Sequence, residues 1–143
     1  MTYVMEMSTN ADIVNTGLNA AWNPIAARYH WGQIQHGGQG IPAGSTIVVI
    51  AHGNGDEIGN AVPGVVDISA EAFLVIIHTN MAAGSPAAIY LSTCSPGIAQ
   101  FTAAVRIAAQ NNHIWAHTHL YGHNDAQVGP VPAPGQMAWT EIF

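Results

Sequence analysis

Two short apolar runs end on residues able to do chemistry. Ile47-Val48-Val49-Ile50-Ala51 leads into His52-Gly53, and Ala88-Ile89-Tyr90-Leu91-Ser92-Thr93 leads into Cys94, the only cysteine of the chain. Both runs read as strands, and in an open, mainly parallel α/β sheet functional groups gather at the carboxyl ends of strands. As neighbours, these two strands would bring an imidazole and a thiol into one crevice. A thiol with a pKa near ~8.5 is mostly protonated at neutral pH, so a nearby imidazole or the positive end of a helix must activate it. Cys94 stands just before a predicted helix, with Pro96 suited to its first turn, and the helix dipole would favour the thiolate. Gly53 lets backbone approach a substrate carbonyl closely, and its N–H together with that of Cys94 could form an oxyanion hole.

The elements that must position these groups follow from periodicity and punctuation. Thr2–Met7 reads as a first strand, and Ser8-Thr9-Asn10 offers caps for a helix over 11–21 with Ile13, Val14, Leu18 and Ala21 on one face. Residues 22–45 read as loop with a short helix around 24–29, because Gly and Pro recur through the segment. A strand over 46–51 precedes a polar loop, 53–66, and Ser69 caps a helix to about Ala83 with Glu71 in its first turn. A strand over 87–93, a helix over 98–110, a strand over 113–119, a Gly/Pro-rich stretch over 129–135 and a last strand over 137–143 complete the order. This alternation predicts a single α/β domain over 1–143, a three-layer α/β/α sandwich around a mainly parallel sheet.

Composition narrows the function. The chain has no lysine, and Arg28 and Arg106 are its only strong cations against eight carboxylates. Nothing there could neutralise a phosphate backbone, so nucleic acid is not an expected partner. No apolar run reaches the ~18 residues of a membrane span; the nearest, 65–81, is interrupted by Asp67, Glu71, His78 and Asn80. The N-terminus lacks the basic region of a secretory signal, and a lone cysteine excludes an intrachain disulfide. A cytoplasmic location is the expectation, with delivery into a host cell, which absence of lysine would suit, as the alternative. The low charge and high apolar content leave homo-oligomerisation open.

A strand ending in His-Gly, a helix, and a strand ending in Cys resembles the core of the caspase-like cysteine peptidases. The matching residues are Ile47 to Gly53 and Tyr90-Leu91-Ser92-Thr93-Cys94-Ser95 with the helix between them, and the resemblance spans about residues 46–110. It implies a caspase-like fold and a Cys/His dyad without a cofactor: Cys94 as nucleophile, His52 as the group that protonates the leaving amine, and Gly53 N–H on the oxyanion. The implied activity is that of a cysteine endopeptidase-like hydrolase, cleaving an amide bond of a protein or peptide through a thioester.

Other residues are candidates for substrate contacts. Asp56 and its neighbour Glu57 follow His52 in the predicted loop over the crevice, and could steady the imidazole or select a basic group. Ser92 precedes Cys94 on its strand. On a strand over 113–119, His113, His117 and His119 would share one face, aiming His117 or His119 into the thiol's crevice. With His123, and Asp125 as an oxygen donor, the same histidines offer a rival reading as a metal-dependent hydrolase. A catalytically inactive caspase-fold interaction module is the other alternative.

Overall fold

A computed structural model describes residues 1–93, 98–123, 130–136 and 138–143, with only the backbone of His123. Along the chain the elements are β1 (Thr2–Glu6), α1 (Ala11–Val14), a 3₁₀ turn (Ala20–Trp22), β2 (Ile25–Tyr29), α2 (Trp31–Ile34), β3 (Thr46–Gly53), β4 (Glu57–Gly59), β5 (Asp67–Ser69), α3 (Ala70–Asn80), β6 (Ala88–Thr93), α4 (Ile98–Asn111), β7 (His119–His123) and β8 (Trp139–Glu141). The main sheet runs β2-β1-β3-β6-β7-β8. Its first five strands are parallel and β8 closes the edge antiparallel to β7. A small antiparallel extension, β4 and β5, continues from the end of β3. The fold is therefore α/β with a mostly parallel mixed sheet. Among the described residues no helix is long and apolar enough to cross a membrane.

β3 is apolar without a break because both of its faces are covered, the usual situation of an inner parallel strand. Met5, Ile47, Val49, Ala51, Ile89 and Leu91 face one core, where α3 and α4 meet the sheet. Phe73 of α3 and Phe101 of α4 meet edge to face there at 5.8 Å. Val4, Val48 and Ile50, one position out of phase, face a second core with Ile13, Trp22, Val131 and Trp139. Both long helices thus lie on one side of the sheet. The other side is covered by α1, the 3₁₀ turn and the chain around Val131, in place of the full helical layer expected.

On that second side Trp22, Tyr90, Tyr121 and Trp139 form an aromatic cluster, with Tyr90 stacked on Tyr121 at 4.5 Å and edge-on to both tryptophans. Burial, and then the neighbouring Tyr121, raise the Tyr90 hydroxyl above the ordinary tyrosine pKa. The indole N–H groups of Trp22 and Trp139 both donate to the carbonyl of Pro132, which ties the 131–133 segment to the sheet.

Several elements depart from the sequence expectations for identifiable reasons. The first helix stops at Val14, because Arg28 donates to the carbonyls of Thr16, Val14 and Ile13 that a further turn would have used. Residues 25–29 form strand β2, not a short helix; Tyr29 stacks on Tyr3 and Arg28 reaches Glu6, so tertiary partners override local propensity. The expected loop after His52 contains the β4–β5 hairpin, where Gly59 has φ 146° and a Cβ would lie 1.9 Å from the Val66 carbonyl oxygen. The expected strand over 113–119 begins only at His119, since the preceding residues cap α4: His113 has φ 54°, its N–H donates to Gln110 O, and Ile114 N–H donates to Ala109 O. α3 and α4 occupy nearly the ranges expected, and Ser69 Oγ does cap α3 by accepting from Ala72 N.

Glu6, at the end of β1, has no exposed surface, and its two oxygens bind Arg28 Nε and His30 Nδ1, each at 2.5 Å. Arg28 also carries the hydrogen bonds to the end of α1, so one guanidinium joins β1, β2 and α1. Removing it would leave the buried carboxylate with His30 alone and without its strong cation. Arg28→Met is expected to lower unfolding free energy by about 3–5 kcal/mol in urea titrations. Adding Glu6→Leu should recover part of that loss, whereas simple additivity of the two substitutions would show that they are not coupled.

Candidate functional site

The chain leaves β1 toward β2 on one side, while β3 lies on the other, so the carboxyl ends of β1 and β3 flank a topological switch point. His52 stands there, near the end of β3. Strand alternation puts it on the same face as Val48 and Ile50, the side on which α1 lies. Asp12, in the first turn of α1, meets it: His52 Nε2 is 2.8 Å from Asp12 Oδ2. The imidazole is 16% exposed and the carboxylate 64%, so the ring is held in the fold while its partner reaches in from solvent. A carboxylate only accepts, so the ring donates this bond through Nε2–H and its orientation is fixed from that side.

The loop beyond β4 completes the site. Asn60 Oδ1 accepts from Ser8 Oγ and Thr9 N, and its Nδ2 donates to Thr9 Oγ1. Asn10 Oδ1 accepts from Ala61 N and makes no cap bond to α1. The Ser8-Thr9-Asn10 run expected to cap a helix thus clamps two loops over the switch point. A cleft of ≈ 210 Å³ opens beside the ring, walled by His52, Gly53, Asn54, Glu57, Asn60 and Asp67 among others.

β3 and β6 are neighbours and parallel, and Ala51 pairs with Thr93. The residues that precede His52 and Cys94 in the chain are therefore register partners; Cys94 itself lies outside the described residues. Gly53 is closely packed: a Cβ there would meet Ile58 Cγ2 at 3.0 Å and Thr93 Cγ2 at 3.5 Å. Ser92 is buried, pairs with Ile50, and shares the sheet face of His52 by the same alternation. Asp56 does not line the cleft. It sits in the exposed β3–β4 turn, where its Oδ1 accepts from Gln100 Nε2 of α4. Its neighbour Glu57 takes the place on the wall.

His117 and His119 are not in this crevice. His119 is level with Ala88, and through it with Thr46, at the opposite end of β3 from His52. At ~3.3 Å per residue the two positions are roughly 20 Å apart along the sheet. His113 and His117 belong to the turn before β7, so the shared strand face expected for the three histidines does not form. Among the described residues no group of three or more His, Cys, Asp or Glu side chains could hold a metal ion; Asp125 and the His123 side chain lie outside them.

Asp12 and Asn60 are the residues that sequence reasoning missed. Their neighbours carried helix-cap and loop signals, and nothing local reports that α1 and the 60–61 loop converge on β3. Asn60→Ala is expected to raise the amide exchange rate of Thr9 by about tenfold or more, as three hydrogen bonds to the 8–9 segment are lost. An unchanged rate would mean that the clamp does not hold that segment. No protein-family model matches the chain, and neither a curated protein nor a solved structure matches it.

Proposed function

We propose that the protein is a cysteine hydrolase of the caspase-like kind, in which Cys94 and His52 cleave an amide bond of a peptide or protein. The observation that carries this reading is the His52–Asp12 pair at the carboxyl end of β3, with Thr93 held in register beside Ala51. An imidazole oriented through one nitrogen by a carboxylate, at the end of the strand beside the one that leads to the thiol, suits an acid–base partner of a nucleophile. Asp12 is then a positioning residue.

In the reaction, the Cys94 sulfur as thiolate adds to the acyl carbon, and the carbonyl oxygen becomes an oxyanion stabilised by Gly53 N–H. The C–N bond breaks as protonated His52 gives its proton to the departing amine, leaving a thioester. Water then adds to the thioester, His52 takes the water's proton, and the C–S bond breaks to release the carboxylic acid and restore the thiolate. The carboxylates of Glu57 and Asp67 in the cleft favour a cationic over an anionic group on the substrate.

The test is the rate of Cys94 alkylation by iodoacetamide between about pH 5 and pH 9, in wild type, His52→Ala and Asp12→Asn. Wild type is expected to react well below pH 7, His52→Ala to lose that reactivity, and Asp12→Asn to retain part of it. A slow profile rising near ~8.5 in all three proteins would describe an ordinary thiol and end the reading. In a peptide-library assay Cys94→Ala should abolish cleavage, and His52→Ala should slow it by ~10²–10⁴.

A further inference from the structure

The turn between α4 and β7 forms a second cleft, at the end of the sheet opposite His52. Its volume is ≈ 610 Å³, within the ordinary range of small-molecule sites. The ionisable side chains on its walls are all basic. Arg106, His113, His117 and His119 line it beside the neutral Gln110 and Thr118, and no Asp or Glu side chain does, in a chain with eight such carboxylates and two arginines. Arg28 is committed to Glu6, whereas Arg106 makes no ion pair among the described residues. His119 is held at its Nδ1 by Glu141 of β8, so Arg106 supplies the positive charge of the cleft and His113 and His117 its further donors.

The rest of the wall is apolar, supplied by Ile114, Trp115 and Phe143. Trp115 is 3% exposed and packs edge to face on Phe73, so the apolar wall is anchored in the main core. Its backbone is left-handed (φ 62°), which is rare for a bulky residue, and its buried indole N–H has no hydrogen-bond partner. The φ of His113 is accounted for by the α4 cap; that of Trp115 is not. Two local costs, an unfavourable backbone and an unpartnered donor, thus meet in one residue that walls a cavity, a coincidence typical of binding sites.

We infer that this cleft binds a small amphipathic carboxylate, an anion carrying an aromatic or branched aliphatic body. The planar fork of Arg106 matches a carboxylate in bidentate fashion, His113 and His117 supply further donors, and the body lies against Ile114, Trp115 and Phe143. A multiply charged phosphate would need more donors than one guanidinium and would gain nothing from the apolar wall. This inference does not depend on the chemistry at His52 and Cys94.

The experiment is a titration of the whole chain with 4-phenylbutyrate and, separately, with its uncharged amide, followed by ¹H–¹⁵N NMR. The acid is expected to shift the Trp115 indole N–H and the backbone amides of the 113–119 turn saturably, and to bind at least about tenfold more tightly than the amide. Arg106→Gln, at an exposed position of α4, should remove that preference without altering the Trp22 indole signal. Ala116→Glu, which adds a carboxylate to an exposed wall position, should weaken the acid more than the amide. Equal affinities for acid and amide, an unchanged acid affinity in Arg106→Gln, or no shift up to about 10 mM acid would each overturn the assignment.

Discussion

The buried carboxylate of Glu6 sets the geometry on which the candidate site depends. A carboxylate with no solvent contact must be matched by charge and donors, and Arg28 and His30 supply both. This fixes β2 against β1 at the edge of the sheet. The same guanidinium then closes the end of α1 by binding the carbonyls of Ile13, Val14 and Thr16. Because α1 is too short to be stable by itself, its orientation is set by this contact and by Ile13 in the second core. Asp12 is in that helix, so its reach to His52 is a consequence of a charge pair formed on the other side of β1.

The two clefts, at opposite ends of the sheet, differ in the side chains that line them. Strands and crossover helices run in opposite directions, so the start of α3 lies with the carboxyl ends of the strands and the end of α4 with their amino ends. Glu71 sits in the first turn of α3, and Asp12, Glu57 and Asp67 gather at the same end around His52. Arg106 of α4 and the histidines of the turn that follows the helix line the other cleft. Arg28 and His30 stand with Glu6 at the carboxyl end of β1, and Glu141 stands with His119 at the amino end of β7, so the contrast lies between the two clefts and not between the two ends of the sheet.

The face opposite α3 and α4 shows how little helix is needed to cover a sheet. Aromatic side chains from β6, β7, β8 and the 3₁₀ turn do the covering, and two indole N–H groups fasten the Pro132 segment over them. Large rings bury much area per residue and hold fixed relative orientations, so a layer of irregular chain can substitute for a second pair of helices.

The sequence alone was enough for the parts governed by local pattern. The apolar runs of β3 and β6, the Ser69 cap and the amphipathic faces of α3 and α4 are written in spacing and residue type, and β3 beside β6 follows from the alternation of strands with helices. Tertiary structure alone decided whatever depends on partners distant in sequence. β2 is a strand because β1 and Glu6 are there to receive it, and α1 ends early because Arg28 takes its carbonyls. The histidines of 113–119 left the crevice because the cap of α4 used the residues that would have begun β7. Asp12 and Asn60 became part of the site only when strand order brought the ends of β1 and β3 together. Short-range periodicity carries no information about which strands exchange neighbours, and hydrogen bonds spanning about fifty residues are settled by packing of the whole chain.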